Sequence, residues 1–533
     1  MSDVAVVAPP SSIKMQSKPS GKALIALLLV LAVGAGYSVR GLVGDISAAS
    51  GPPLAIGAFV LLGLALLIAL GFEFVNGFHD TANAVATVIY TRSLAPTAAV
   101  ILSGSLNLLG VLWSSGTVAF GIIALLPVEL ILNVGSSAGY AMIFSLLIAA
   151  IVWNLGTWWR GLPASSSHTL VGSIIGVGVA NQLLAAKGSG TSGVDWSQAG
   201  KVFEALLVSP IVGFVLSAAL LLLLKFLVRI PALYKAPEGD AAPPWWVRGL
   251  LILTCSSVSF AHGSNDGQKG MGLIMLILIG AMPTAFALNH AMNASATPGF
   301  ILATTQAEAV FASHAGSAAI PSAADARAAL EVAVEKQALQ GGASWAALDA
   351  IAGDIAGQVK AYGSVAQIPA AAVHNVRNDM YLTAQTVKLT TGRISGAEKT
   401  KVGAYAKALT GSTQFIPPWV KVGVAIALGL GTMVGWKRIV VTVGEKIGKT
   451  HLTYGQGASA EIVAAVTIMA ADRFGLPVST THILSSGIAG TMAANGSGLQ
   501  WDTVRDIALA WVLTLPCAML LSGVLFAILR AAF

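Results

Sequence analysis

The sequence predicts an all-α, polytopic membrane protein with two repeated halves and a small helical insertion. Of its 533 residues, 55% are hydrophobic and only 10% are charged, whereas soluble domains carry about 25% charged residues. The mean hydropathy is +0.78, and apolar runs long enough to cross a bilayer recur along the whole chain. Two polar motifs, each present twice, interrupt these runs.

The apolar runs indicate roughly 10–12 membrane spans, because a spanning helix needs about 20 mostly apolar residues. The long runs lie at 23–43, 53–75, 97–113, 138–158, 203–229, 246–261, 270–289, 418–436 and 503–530. The shorter runs are candidates for further spans or for re-entrant segments, and they lie at 117–132, 163–184, 458–471 and 477–494.

Basic residues beside these runs indicate the orientation of the chain, whose net charge is +7. They include Lys14, Lys18 and Lys22 in the polar tail 1–22, and Lys225, Arg229, Lys235 and Arg248 in and around the linker 231–247. In a membrane protein such residues favour the cytoplasmic side, so we expect the tail and the linker to lie there. Nucleic-acid binding is the weaker interpretation, and we expect contacts with membrane lipid instead.

A duplicated stretch shows that the chain has two related halves. "GLPASSSHTLVGSIIG" at 161–176 returns as "GLPVSTTHILSSGIAG" at 475–490, with eight of sixteen positions identical. A second pair, "NGFHDTANAVAT" and "HGSNDGQKGMG", aligns Asp80 with Asp266 and occurs in the same order. The first repeat therefore covers 23–230 and the second covers the chain from 248. Internal duplication of this kind is typical of secondary transporters, whose substrate site lies where the repeats meet.

An insertion divides the second repeat. Asp80 precedes Pro163 by 83 residues (163 − 80), whereas Asp266 precedes Pro477 by 211 (477 − 266), a difference of 128. Residues 290–416 are polar for this chain and rich in alanine, which favours helix. We therefore expect a small helical extramembrane domain there, between the membrane segments 248–289 and 417–533.

The repeated Ser/Thr motifs are candidates for an anion site. A proline is tolerated in the first turn of a helix, so each motif predicts a helix N-terminus with hydroxyls at its tip. Such an end offers free N–H groups and a positive dipole to an anion. The candidate residues are Ser165, Ser166, Ser167, His168, Ser479, Thr480, Thr481 and His482. The alternatives are ordinary helix caps, hydroxyls bonded to their own helix, and packing histidines.

The acidic motifs are candidates for a cation site. Asp80 and Asp266 lie in or at the ends of apolar runs, where ionisable groups are costly and usually functional. A carboxylate beside an anion calls for a coupling cation, either Na⁺ or H⁺, and the neutral neighbours are His79, Asn83, Asn265 and Gln268. The alternative is a structural ion pair or a cap. We expect no cofactor, and no set of residues has the spacing of metal ligands.

Two more acids interrupt apolar runs, Glu73 and Glu461. Each is a candidate proton carrier, since burial in an apolar environment favours the neutral carboxyl, or each faces an aqueous rim. An enzyme is disfavoured because the sequence has no HExxH, Walker A or GxSxG motif. Neighbours such as those in "SSSH" do not face each other on a helix. A channel or a membrane receptor is disfavoured by the duplicated polar segments.

Four stretches together resemble the PiT family of inorganic phosphate transporters, and most closely its bacterial low-affinity Pit branch. They are "GFHDTANAVATVIYTRSLAP", "SFAHGSNDGQKGMGL", "GLPASSSHTLVG" and "GLPVSTTHILSSG". The resemblance implies two inverted repeats with re-entrant helical hairpins, and a homodimer in the bacterial inner membrane. It implies symport of phosphate with a cation, and it raises arsenate and a neutral metal–phosphate complex as further cargo. The family signature carries over to Asp80, Asn83, Asn265 and Asp266.

The sequence departs from that signature, which reads Gly-Ala-Asn-Asp-x-Ala-Asn-Ala. His79 stands in place of the first asparagine in repeat one, and Lys269 in place of the second asparagine in repeat two. A lysine can supply the positive charge that a bound cation would bring. We therefore expect H⁺ coupling with Lys269 as a fixed counter-charge. Na⁺ coupling, and a sulfate permease on the same scaffold, are the alternatives.

Overall fold

The computed structural model describes residues 21–49, 55–126, 136–185, 194, 196–237 and 242–532. All but the last two residues of the polar tail 1–22 lie outside this range. The helices, in chain order, are α1 (Gly21–Ala48), α2 (Ile56–Tyr90), α3 (Pro96–Trp113), α4 (Thr117–Ile123), α5 (Ser137–Trp159), α6 (Ser166–Leu184), α7 (Trp196–Leu227), α8 (Trp245–Ala281), α9 (Pro283–Phe286), α10 (Thr297–Ala315), α11 (Ala323–Glu335), α12 (Gly342–Ala361), α13 (Ala370–Leu389), α14 (Gly396–Thr413), α15 (Pro418–Met433), α16 (Lys437–Val441), α17 (Tyr454–Arg473), α18 (Thr480–Asn495) and α19 (Trp501–Ala532).

The described part contains no β-strand, which confirms the predicted all-helical class. Within it, six helices are long and apolar enough to cross a membrane, or seven if α14 and α15, bent by 74°, count as one. The sequence predicted 10–12 spans, which is more than the described helices provide. One reason is that the run 246–261 and residues 270–281 of the next run lie in a single 37-residue helix, α8, with the polar Asp266 motif inside it. Another is that α6 and α18 have only 19 and 16 residues.

Helices of one half pack on helices of the other. The short helix α6 lies on α19, and its counterpart α18 lies on α7. Matching glycines permit this close approach: a Cβ at Gly176 would lie 2.1 Å from the Met519 carbonyl oxygen, and one at Gly490 would lie 2.2 Å from that of Phe214. Gly176 and Gly490 occupy the same position of the duplicated stretch, so the sequence repeat is also a repeat of packing.

The two helices that carry the acidic motifs run in opposite directions. Arg248, near the start of α8, donates a hydrogen bond of 2.8 Å to the carbonyl of Ser93, just after the end of α2. The helices α2 and α8 also pack directly on each other. Their motifs therefore meet in the middle of the bundle, and Asp80 and Asp266 are both buried.

Helices α10–α14 fall in the predicted insertion, and their buried apolar side chains are continuous with the apolar cluster of the membrane helices. Tyr405 is fully buried and contacts the rings of Phe300 and Phe311 edge-on. Arg327 joins two of these helices through a two-point contact with Asp379, at 2.6 and 2.8 Å. The segment is thus a helical bundle, as its alanine-rich composition predicts.

Candidate functional site

Each duplicated Ser/Thr stretch forms the start of a helix. The Ser165 hydroxyl accepts a hydrogen bond from the N–H of His168 at 3.2 Å, and the Ser479 hydroxyl accepts one from the N–H of His482 at 3.1 Å. Ser165 and Ser479 are therefore N-caps, the alternative that the sequence left open for them. The hydroxyls that follow are turned toward the rest of the bundle. We call residues 161–168 the first tip and residues 475–482 the second tip.

The two tips touch each other. Ser167 donates a hydrogen bond of 2.8 Å to the Val478 carbonyl, and the ring centroids of His168 and His482 are 4.4 Å apart. Trp511 of α19 stacks on His482 with 4.1 Å between ring centroids and donates a 2.8 Å hydrogen bond to the Pro163 carbonyl. Trp511 lies outside the duplicated stretches, and no sequence motif marks it as a site residue.

Asp80 accepts hydrogen bonds from both tips. Ser166 of the first tip donates to its Oδ2 at 2.7 Å, and Thr481 of the second tip donates to its Oδ1. His79 Nδ1 lies 3.7 Å from Asp80 Oδ1, while His79 Nε2 pairs with the Thr157 hydroxyl at 3.1 Å. Asp80 is thus held by hydroxyls from both repeats.

Asp266 has different partners, which are basic. Lys269 Nζ lies 2.7 Å from its Oδ1, and His262 Nε2 lies 3.5 Å from its Oδ2. Lys269 also donates to the Ser167 hydroxyl of the first tip. Both members of the Lys269–Asp266 pair are buried. The two aspartates occupy matching positions of the repeats, but only one of them is paired with a fixed cation.

His262 stands between the two aspartates. Its Nε2 lies 3.8 Å from Asp80 Oδ2 as well as 3.5 Å from Asp266, and its Nδ1 pairs with the Asn107 side-chain oxygen at 2.9 Å. Asn107 in turn donates to Thr432 at 2.8 Å, which fixes its orientation. The ligand atoms of Asp80, His262 and Asp266 lie within 4.8 Å of one another. Sequence spacing gave no sign of this cluster, because Asp80 lies on α2 whereas His262 and Asp266 lie on α8.

The other polar members of the acidic motifs have other partners or lie outside the described atoms. Gln268 accepts from the Val118 N–H at 2.9 Å and donates to Asp472, while Asn265 donates to the Leu476 carbonyl at 3.2 Å. Gln268 therefore contacts the end of α17, and Asn265 contacts the second tip that follows it. The side chain of Asn83 is outside the described part of the chain.

The two isolated glutamates are fully buried, so neither faces an aqueous rim. Glu73 packs against Gly270 and accepts a long hydrogen bond of 3.4 Å from Asn76. Glu461 accepts hydrogen bonds from Thr87 and Thr254, which lie on α2 and α8. Buried carboxyls held only by neutral donors remain candidates for carrying a proton.

Known proteins resemble this chain along most of its length. Residues 76–522 match the profile of the Phosphate transporter family. The chain is 44% identical over 492 residues to "Low-affinity inorganic phosphate transporter PitA" of Escherichia coli (strain K12), which covers 88% of this chain and 96% of that protein. It is 40% identical over 505 residues to "Low-affinity inorganic phosphate transporter PitB" of the same organism, with coverages of 89% and 98%. These relatives are named as transporters, not as enzymes.

One solved structure has a similar fold. It is described as "The sodium-dependent phosphate transporter", and the comparison gives a TM-score of 0.50 at 20% identity, over 89% of this chain and 100% of that chain. At this identity the likeness supports the helical fold alone.

Proposed function

The chain belongs to the phosphate transporter family, and from that membership we propose that it is a low-affinity carrier of inorganic phosphate, driven by symport with a proton. It is a multi-pass membrane protein and not an enzyme, as its family and its apolar helices indicate. The bacterial relatives support a place in the inner membrane, and the family resemblance adds a homodimer to the proposal.

Unpaired polar atoms at the two tips carry the proposal for the phosphate site. Thr480 Oγ1, His168 Nδ1 and both ring nitrogens of His482 are buried and have no hydrogen-bond partner among the described residues. Buried polar atoms are nearly always paired in folded proteins. A tetrahedral oxyanion between the tips would satisfy these atoms, with the N-termini of α6 and α18 directed toward it.

The contacts of Asp80 suggest how the cation and the phosphate are coupled. Ser166 and Thr481 now donate to a carboxylate, which is itself an oxyanion. Phosphate needs the same hydroxyls, so the two compete. A cation that neutralises Asp80 weakens the hydrogen bonds that Asp80 accepts from these hydroxyls. Hydrogen bonds to an ionised acceptor are about twice as strong as those to a neutral acceptor. The hydroxyls are then available to phosphate, and each ligand favours binding of the other.

Three charged side chains favour a proton as that cation. The Lys269–Asp266 ion pair occupies one of the two carboxyls, which leaves Asp80 as the acid for a proton to neutralise. The Lys269 ammonium also occupies one side of Asp266, where a sodium ion would need carboxylate oxygen. A histidine is the side chain best suited to exchange protons near neutral pH, and His262 lies within 3.8 Å of both acids.

A second candidate for the carried species is a neutral metal–phosphate complex. The cluster of Asp80, His262 and Asp266 supports it, because carboxylate and imidazole ligands suit divalent first-row metals. The metal would then be cargo, carried together with phosphate. Lys269 opposes this alternative, since its ammonium would lie beside the metal.

Opposite helix directions within the bundle support inverted repeats with re-entrant hairpins. Helices α2 and α8 run in opposite directions, as described above. Tyr234 lies against Gly455 at the start of α17, and its carbonyl accepts a 3.4 Å hydrogen bond from Asn495 at the end of α18. The second tip therefore belongs to a hairpin that enters and leaves at one end of the bundle.

That end of the bundle is basic, and we assign it to the cytoplasm by the positive-inside rule. Its basic residues include Arg92, Lys225, Arg229, Arg248, Lys437, Arg438, Lys446 and Lys449. Helix α8 ends, and α15 begins, at the other end. The insertion 290–416 is therefore proposed to lie on the outer face of the membrane.

Substrate competition in proteoliposomes tests the choice of anion. Purified protein is given labelled phosphate with an excess of unlabelled phosphate, arsenate or sulfate. We expect phosphate and arsenate to compete and sulfate to have no effect, because a carboxylate repels the fully ionised sulfate but accepts a hydrogen bond from protonated phosphate. Equal competition by sulfate would identify a general oxyanion permease instead.

A further inference from the structure

The two repeats make the same side-chain contact with different chemistry. Phe78 and Ser264 are equivalent, since both lie two residues before the motif aspartates (80 − 78 and 266 − 264). Trp158 and Asp472 are equivalent as well, since both lie five residues before the tip prolines (163 − 158 and 477 − 472). In each repeat the first residue of the pair contacts the second.

In repeat one this contact is aromatic. The rings of Phe78 and Trp158 meet edge-on, with 5.2 Å between centroids. Trp158 also donates a 2.8 Å hydrogen bond to the Gly435 carbonyl, and the Arg438 guanidinium lies 5.2 Å from its ring. The turn of the first tip is tied to the same segment, because Thr442 donates to the Gly161 carbonyl at 2.8 Å. We call Phe78 and Trp158 the aromatic closure.

In repeat two the contact is polar. The Asp472 carboxylate accepts from the Ser264 hydroxyl at 2.7 Å and from the Gln268 amide. Gln268 extends the network to the Val118 N–H at the start of α4, and Gly475 of the second tip lies against Thr117. We call Ser264, Gln268 and Asp472 the polar closure.

The two closures face opposite ends of the bundle. The segment that supports the aromatic closure continues to Glu445, which accepts a 2.7 Å hydrogen bond from Tyr90 at the basic end. Helix α4, which supports the polar closure, follows α3, and α3 starts beside the end of α2 and runs away from it. Between the closures lie the tips and the two aspartates.

We propose that the polar closure is the outer gate of the transport path and the aromatic closure its inner gate, an inference that rests on the transport function proposed above. Water can replace the hydrogen bonds of Asp472, whereas parting Phe78 from Trp158 exposes apolar surface. The outer gate therefore opens more readily and admits a hydrated anion. Asp472 is a positioning residue, because it ties the end of α17, which leads into the second tip, to Ser264 and Gln268 of α8.

Sided labelling of a cysteine tests the outer gate without requiring transport. The parent lacks Cys255 and Cys517 and carries Val478→Cys, a buried reporter within the second tip. It is labelled in vesicles of known orientation with a membrane-impermeant thiol reagent. Adding Asp472→Asn removes the charge to which Ser264 and Gln268 both donate. Labelling from outside should then rise about tenfold, the factor that corresponds to the loss of one charge-assisted hydrogen bond. Labelling from the cytoplasmic side should not change.

Matched variants make the result specific. Ser264→Ala removes one donor and should give a smaller rise on the same side, which guards against an Asp472 variant that fails to fold. Arg473→Gln, at an exposed neighbouring position, should change nothing. Trp158→Ala should raise labelling from the cytoplasmic side only, and Trp159→Ala, at the exposed position beside it, should not.

Unchanged outside labelling in both Asp472→Asn and Ser264→Ala would overturn the proposal, and so would a rise confined to the cytoplasmic side. These outcomes are separate from those that test the substrate. If the protein proves to be a sulfate permease, the labelling results would still test both gates. If it carries phosphate with protons but labelling is unchanged, the proposed function stands and the proposed gates are refuted.

Discussion

Lys269 Nζ lies 2.7 Å from Oδ1 of Asp266, three residues earlier on α8, and both side chains are buried. The matching position of repeat one is Asn83, so this ion pair belongs to one repeat only. It places a lysine side chain in the centre of the bundle beside one of two acids. The proposed choice of coupling ion depends on this asymmetry.

Breaking this pair should destabilise the protein. Asp266→Asn leaves the Lys269 ammonium buried without its carboxylate, which costs about 3–5 kcal/mol. The double variant Asp266→Asn/Lys269→Asn removes both charges and should recover most of that loss. Thermal unfolding in detergent of the two single variants and the double variant measures the coupling free energy between Asp266 and Lys269. Losses that simply add would show that the pair is not a unit.

Neutralising Asp80 should separate phosphate binding from energy coupling. In Asp80→Asn the hydroxyls of Ser166 and Thr481 are held less tightly, so we expect phosphate to bind about tenfold more tightly without any gradient. Accumulation of phosphate against its concentration gradient should be lost, because a cation is no longer needed to release the two hydroxyls from residue 80. Equilibrium binding and gradient-driven uptake measure the two effects, with Asp45→Asn at the far end of α1 as the control. Weaker phosphate binding in Asp80→Asn would refute the competition between carboxylate and phosphate.

Replacing His262 should affect proton-driven transport more than phosphate exchange. His262→Gln keeps a polar side chain beside Asn107 but removes the imidazole that we propose exchanges protons between Asp80 and Asp266. We expect uptake driven by a pH gradient to fall at least about tenfold, while exchange of phosphate at equal pH continues. His374→Gln, in the insertion, is the matched control. Equal loss of both activities would assign His262 a purely structural role.

The local stability of the insertion should depend on Arg327, and the size of this dependence should change with pH. Burial raises the pKa of Asp379 above its usual value, while the Arg327 guanidinium opposes that rise. Arg327→Ala should cost about 2 kcal/mol of local stability at neutral pH, where Asp379 is ionised and without its two hydrogen bonds. The folded-state pKa is higher than the unfolded one, so the loss should shrink as pH falls through it.

Hydrogen exchange in α13 of the full-length protein, at neutral and at acidic pH, measures this effect. Arg393→Ala, at an exposed position, is the control and should leave exchange unchanged. Faster exchange that persists at acidic pH would contradict the assignment to Asp379.

The repeats and the tips could be predicted from the sequence because duplication and helix-start chemistry are local signals. The two copies of the Ser/Thr stretch begin matching helices, α6 and α18, and both cap residues are the first serine of the hydroxyl run. The division of α8 into two spans was wrong because its polar centre resembles a loop. In the folded chain, α3, α17 and both tips supply partners to those polar residues, and the helix continues.

The remaining site residues could not be predicted because tertiary packing brings them together. His262 lies in the second acidic motif, but its importance comes from Asp80, which is 182 residues away (262 − 80). Trp511 and Asp472 lie in segments without a recognisable motif. The convergence of Ser166 and Thr481 on one aspartate also breaks the symmetry that the repeats suggest, because Thr480 would match Ser166.

Phosphate uptake under imposed ion gradients tests the central claim most directly. Purified protein in proteoliposomes receives an inward H⁺ gradient at constant Na⁺, or an inward Na⁺ gradient at clamped pH. We expect the H⁺ gradient alone to drive uptake, with about tenfold accumulation per pH unit for one proton carried, and Lys269→Asn to lose this dependence. Uptake that follows the Na⁺ gradient and ignores the pH gradient would contradict the proposal that Lys269 makes this transporter proton-coupled.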